Sequence, residues 1–145
     1  YFCIESYSLG VDNINKFIRK NNIEDIHVFE GDAIEIVEDY FLDNSLDEIL
    51  IFFPDPWPKK KHEKRRILNK FSLNMFVSKL KVSGLIHFAT DHISYAYKTK
   101  ELMCAYANNK ITFNNNRRYR PITNYEKRGI KRKNFIFDII FKKSN

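Results

Sequence analysis

Three prolines at alternate positions, Pro54, Pro56 and Pro58, constrain this chain more than any other feature. Each lacks an amide donor, fixes its own φ and biases its predecessor towards extended backbone, so residues 54–58 form neither helix nor ladder. Just before them, LDEILIFF (46–53) ends in a run of β-favouring apolar residues that predicts a buried strand. The strand must stop at Pro54 and leave the sheet as a stiff loop carrying Asp55 and Trp57. Six Lys/Arg then fall within the eight residues from Lys59 to Arg66. A carboxylate, an aromatic plate and a dense cationic segment thus follow the carboxyl end of a strand, where open α/β sheets bind ligands.

Charge is segregated along the chain. Residues 1–53 hold three Lys/Arg against twelve Asp/Glu, a balance of −9, and residues 54–145 hold twenty-two against six, a balance of +16. A solubility role explains a net charge of +7 but not its segregation; a face that grips nucleic acid explains both. No apolar run approaches the ~20 residues of a membrane span, and YFCIESY lacks the features of a secretory signal. Cys3 and Cys104 are too few for a disulfide framework, which predicts reduced thiols and a cytoplasmic protein. His27, His62, His87 and His92 make no metal-ligand pattern, so no metal is expected.

In chain order, the periodicities predict alternating strands and helices. YFCIES is a first strand. SLGVDNINKFIRKNN is a helix with Val11, Ile14, Phe17 and Ile18 on one face and Ser8 as its cap. IHVFEGDA is a second strand with a Gly31-Asp32 turn, and AIEIVEDYFL a short helix. LDEILIFF is the third strand. ILNKFSLNMFVSKLKV predicts a helix with Leu68, Phe71, Met75, Phe76 and Leu80 on one side, ending near Ser83-Gly84. LIHFATD is a fourth strand and ISYAYKTKELMCAYANN a further helix. ITFNN and NFIFDIIFKK supply two late strands separated by a basic loop, NNRRYRPITNYEKRGIKRK. The alternation implies an α/β fold with a mostly parallel sheet, helices on both faces and at least one antiparallel late strand. The 145 residues are expected to form a single domain.

FFPDPWPKKKHEKRR closely resembles the FPDPWPKKRHHKRR signature of the tRNA (guanine-N7-)-methyltransferases. Two further segments resemble the same family: ATD at 89–91 with Tyr95 is similar to its ATDW-x-x-Y, and RPITNYEKRG at 120–129 to its RPxTKFExRG. The resemblance covers nearly the whole chain. It implies a class I S-adenosylmethionine-dependent methyltransferase (Rossmann-like) fold, with tRNA as substrate and S-adenosyl-L-methionine as cofactor. In that family the first strand leads into a glycine-rich turn; this chain has four glycines and no Gly-x-Gly. The domain is therefore expected to be N-terminally incomplete, with YFCIES and LIHFATD flanking or approaching a gap.

Glu5 and Asp32 each follow a strand. Taken alone, the first suits a nucleoside's hydroxyl pair and the second is most simply a helix cap. By resemblance, Glu5 binds the cofactor's ribose, Asp32 contacts its adenine edge, and Asp91 contacts substrate. Thr123, Asn124, Tyr125 and Glu126 are substrate-binding by the same match, with Asn124 standing where many members have Lys. Asp55 is the candidate catalytic carboxylate and lies near the cofactor, because a fixed negative charge stabilises a purine that becomes cationic as N7 is methylated. Lys59 and the cations at 60–61 and 64–66 are expected to meet RNA phosphates. Trp57 either stacks on a base or packs under its loop; the sequence leaves both open. The function implied is methyl transfer to guanine N7 in the tRNA variable loop. The rival is a non-catalytic basic RNA-binding remnant, against which the three carboxylates Glu5, Asp32 and Asp55 argue. Oligomeric state is not legible.

Overall fold

The computed structural model describes residues 1–106, 110–114 and 117–144. The chain divides into two compact units, Tyr1–Phe41 and Leu42–Asn145.

In the first unit, β1 (Phe2–Glu5) and β2 (His27–Glu30) pair in parallel, from Phe2 opposite His27 to Glu5 opposite Glu30. A parallel pair needs a crossover, and α1 (Ser8–Lys20) supplies it. The Asp32 side chain caps α2 (Ala33–Tyr40) by accepting from Ile34 and Glu35 N–H. Ser8 is not the cap of α1: Tyr7 takes that place without a side-chain bond, and the Ser8 hydroxyl instead donates to the Glu30 carboxylate. Val11, Ile36 and Val37 are buried, whereas Phe17 is exposed, so the apolar face of α1 is narrower than its spacing predicts.

The second unit holds a four-stranded sheet of β3 (Leu46–Phe52), β4 (Leu80–Thr90), β5 (Lys110–Asn114) and β6 (Phe137–Lys142), in the order β3-β4-β6-β5. β3 and β4 are parallel; β6 runs antiparallel to both β4 and β5. The sheet is thus mixed, with the expected reversed late strand. β4 is buried almost continuously from Ile86 to Thr90, as a strand covered on both faces must be. Among the described residues it pairs on both sides, so LIHFATD borders no gap within this sheet; β3 and β5 are its edge strands, each with a single partner.

Two helix expectations change. The helix read across 67–82 is α3 (Lys70–Lys79), started by a capping box in which Asn69 and Ser72 satisfy each other's backbone N–H. That start leaves Phe71 exposed, while Leu80 opens β4 and is fully buried. The stretch between β5 and β6, read as loop, contains α5 (Asn124–Lys131). α4 (Ile93–Cys104) matches its expected start; the last predicted residues, 107–109, lie outside the described set. The core joins Leu73 and Phe76 of α3, Ile86 and Phe88 of β4, Tyr95 and Met103 of α4, and Ile139 and Phe141 of β6.

Candidate active site

The tip of β3 leads into two bulky residues of positive φ, Phe53 and Trp57. Phe53 N–H donates to Ala89 O at 2.7 Å, prolonging the pairing with β4 by one residue. Its φ is then +51°, and that of Trp57 is +41°, values a bulky side chain adopts only when its surroundings hold it there. Arg66 is what holds the loop. Its side chain is 3% exposed, its Nε donates to Pro56 O at 2.8 Å, and its guanidinium lies over the Tyr95 ring at 4.7 Å. Arg66 therefore cannot meet phosphate, which corrects its place among the expected RNA contacts. The reason is geometric: a loop of prolines donates few hydrogen bonds, so its carbonyls need a donor from elsewhere, and the last arginine of the run turns inward to supply it.

Asp55 stands on this pinned loop, exposed, and among the described residues its carboxylate has no hydrogen-bond or ion-pair partner. A 3-10 turn at Lys60–Arg65 follows, with Lys59 at its cap position. Lys59, Lys60, Lys61 and Lys64 are exposed. Arg65 lies over the Trp57 ring at 4.9 Å, and His62 meets that ring edge-on at 5.8 Å. The indole is half-buried against its own turn.

Glu5 and Asp32 belong to the first unit, at the ends of two paired strands; Gly31 N–H donates to Glu5 O at 3.1 Å. Glu5 Oε1 accepts from Tyr7 N–H at 2.9 Å. Asp32 Oδ1 accepts from Ile34 N–H at 2.8 Å and Glu35 N–H at 3.3 Å, so this carboxylate is a cap through one oxygen.

Asp91 follows β4. It does not cap α4, whose cap position is His92; its Oδ2 accepts from Asn134 Nδ2 at 2.9 Å. The segment 120–126 is organised by Arg120, which sequence reasoning did not single out. Arg120 Nε and Nη2 donate to Asp138 Oδ1 and Oδ2 at 2.7 and 2.9 Å, and Nη1 donates to Glu126 Oε2 at 2.6 Å. His87 Nε2 joins Asp138 Oδ1 at 2.7 Å, and Arg117 pairs with Glu126 at 3.2 Å. The guanidinium of Arg120 also lies 5.6 and 5.4 Å from the Phe52 and Phe53 ring centres, linking this segment to the β3 tip. Burial disfavours the charged Asp138 carboxylate, yet the hydrogen bonds and charge from Arg120 and His87 outweigh it and hold its pKa below the ordinary value. Glu126 is 2% exposed, with its carboxylate between two guanidiniums; Thr123 Oγ1 accepts from Glu126 N–H at 3.0 Å, while Asn124 and Tyr125 face solvent. Among the described residues no three His, Cys, Asp or Glu are grouped to hold a metal ion, and no helix is long and apolar enough to cross a membrane.

A family model described as "Putative methyltransferase" matches residues 1–139. A tRNA (guanine-N(7)-)-methyltransferase of Francisella tularensis subsp. novicida is 42% identical, over 99% of this chain and 64% of its own. One from Neisseria gonorrhoeae is 39% identical, over 99% and 61%. The chain therefore spans just under two thirds of the length of these relatives. Among solved structures, an rRNA methylase from Streptococcus thermophilus aligns with a TM-score of 0.66 over 99% of this chain and 73% of its own, at 10% identity. A SAM-dependent O-methyltransferase from Thermotoga maritima aligns with a TM-score of 0.61 over 99% and 49%, at 14% identity. The fold is that of the class I methyltransferases.

Proposed function

We propose, from the premise that this chain belongs to the methyltransferase family whose model matches it, that it methylates N7 of a guanine in the variable loop of tRNA. Its similarity to tRNA (guanine-N(7)-)-methyltransferases supports the reaction, and the two units are taken as parts of one methyltransferase domain of the cytoplasm. The cofactor is S-adenosyl-L-methionine, the methyl donor of this fold. Glu5 suits it chemically: ribose hydroxyls are donors, and the carboxylate at the end of β1 is an acceptor whose Oε1 is steadied by Tyr7. Asp32 reaches the adenine edge through the oxygen its cap role does not use.

When bound, the cofactor supplies an electrophilic methyl on a sulfonium. Guanine N7 has an in-plane lone pair, so the chain needs no base to remove a proton before attack. The purine gains positive charge as it is methylated, and Asp55 stabilises that charge. One ion contact at ~4 Å is worth about 1 kcal/mol in water and about 4 at an effective dielectric of ~20; at ~1.4 kcal/mol per tenfold, that is on the order of 10²-fold or somewhat more in rate. Lys59, Lys60, Lys61 and Lys64 bind phosphates and set register. Asp91, Thr123, Asn124 and Tyr125 contact the substrate, and Glu126 acts with them by fixing Arg117 and Arg120.

The observation that carries this reading is the Asp55 carboxylate, exposed and, among the described residues, unpartnered on a loop that Arg66 pins beside four exposed lysines. In the full-length protein with saturating cofactor, Asp55→Asn is expected to slow single-turnover methyl transfer by on the order of 10²-fold or more. A normal rate would reduce Asp55 to a loop anchor. A wild-type protein that binds tRNA but yields no N7-methylguanosine on mass spectrometry of digested tRNA would make the chain a binding module.

A further inference from the structure

Glycine is a poor helix former, and two of this chain's four glycines lie inside helices against a carboxylate that the proposed function assigns to binding. A Cβ on Gly129 of α5 would stand 2.8 Å from Asp91 Oδ2, 3.1 Å from its Cβ and 3.2 Å from its Cγ. A Cβ on Gly10 of α1 would stand 2.9 Å from Glu5 Cγ, 3.1 Å from Cδ and 3.3 Å from Oε2. In both cases the obstacle is side-chain rather than backbone: rotation about χ1 carries the crowded Glu5 atoms and the Asp91 carboxylate away, and the 3.1 Å approach to Asp91 Cβ, which rotation does not move, needs a few tenths of an ångström of give. A methyl group at either position therefore moves a carboxylate first.

Each carboxylate is also held from another direction. Asn134 Nδ2 donates to Asp91 Oδ2 at 2.9 Å, and Asn134 N–H donates to Gly129 O at 3.0 Å, so the end of α5 wraps the acid. Tyr7 N–H donates to Glu5 Oε1 at 2.9 Å just before α1 begins. Strand end, bare helix surface and one amide donor recur together in two separate units. We infer that Gly129 and Gly10 are positioning residues, which fix the Asp91 and Glu5 carboxylates by keeping a helix surface clear for them. The inference rests on the reading of Asp91 as a substrate contact and Glu5 as a cofactor contact.

The test uses the full-length protein and separates two readouts. Gly129→Ala is expected to melt near the wild-type temperature, the better helix propensity of Ala offsetting the tight contact with Asp91 Cβ, and to bind S-adenosylmethionine normally. Its kcat/KM for tRNA should fall by roughly 10²-fold, the scale of an ångström-sized misplacement. Gly10→Ala should do the reverse, weakening cofactor binding by roughly tenfold or more while tRNA affinity holds. Because Gly129 acts only through Asp91, Gly129→Ala/Asp91→Ala should be no worse than Asp91→Ala alone. Asn134→Ala, at an exposed position, frees the same oxygen without adding bulk, and carries the test if alanine at 129 unfolds the protein; it too should lower kcat/KM at unchanged cofactor affinity. An active wild type whose Gly129→Ala and Asn134→Ala forms keep full kcat/KM, or whose losses add to that of Asp91→Ala, overturns this inference alone. A wild type that neither binds the cofactor nor methylates tRNA brings down the functional reading, and this inference with it.

Discussion

Arg120 keeps its guanidinium wholly inside the protein, and its side chain, 2% exposed, is the cation that Asp138 and Glu126 share. Removing one member of a buried ion network costs about 3–5 kcal/mol, because the partners stay buried without their counter-charge. Arg120→Ala is accordingly expected to lower stability by that amount in urea titration, a large part of the ~5–15 kcal/mol of a typical domain. The same network sets an acid limit. Asp138 titrates lower in the folded protein than the ~3.9 of an unfolded aspartate. Between those two values the unfolded state binds more protons, so stability from this group is fully present above about pH 4. It drains as pH falls through the folded pKa. Urea midpoints measured from about pH 5 to pH 2 should decline, and Asp138→Asn should flatten the decline. An equal slope in both proteins would assign acid sensitivity to other carboxylates.

The loop after β3 and the helix α5 show how differently elements are written into a sequence. Pro54, Pro56 and Pro58 announce the loop locally, because each fixes its own backbone. The inward turn of Arg66 is not announced: within KKKHEKRR all six cations look alike, and only packing against Tyr95 separates the buried one from the rest. That division is testable. Replacing Lys60, Lys61 and Lys64 by Ala should flatten the salt dependence of tRNA binding, each lost phosphate contact lowering the log–log slope by roughly 0.7–0.9. Arg66→Ala should leave that slope unchanged while slowing methyl transfer, since it frees the loop and touches no phosphate. A flattened slope in Arg66→Ala would return this residue to the RNA surface. α5 escaped the reading because Tyr125 and Ile130, its two large apolar side chains, are both exposed and form no stripe. Its signal was a cap instead: Thr123 and Glu126 stand at the S/T-x-x-E spacing that opens helices, and Thr123 Oγ1 accepts the Glu126 N–H while the Glu126 carboxylate turns to Arg120 and Arg117. In α3 the full reciprocal box between Asn69 and Ser72 fixes the start at Lys70 and leaves Phe71 exposed.

At the scale of the molecule, the two units differ in how much apolar core they own. Val11, Ile36 and Val37 are the buried apolar side chains of residues 1–41 among those described, against thirteen in the second unit. Local opening follows such differences, so amides of β1 and β2 are expected to exchange with deuterium well before those of β4 and β6. Equal protection would mean that the units open together. The alternation of strands and helices was legible because hydrophobic period is local; the sheet order was not, because pairing joins residues far apart in the chain. β5 illustrates the consequence. Among the described residues its sheet partner is β6, which is made after it and lies between it and β4. During synthesis, then, β5 has no ladder to join until β6 leaves the ribosome. Asp91 likewise waits for Asn134, forty-three residues downstream, before its carboxylate is held. A nascent chain therefore carries Asp91 long before it can aim it, and on the proposed reading of Asp91 as a substrate contact, competence to bind substrate arrives late, after α5 and the segment that follows it have been made.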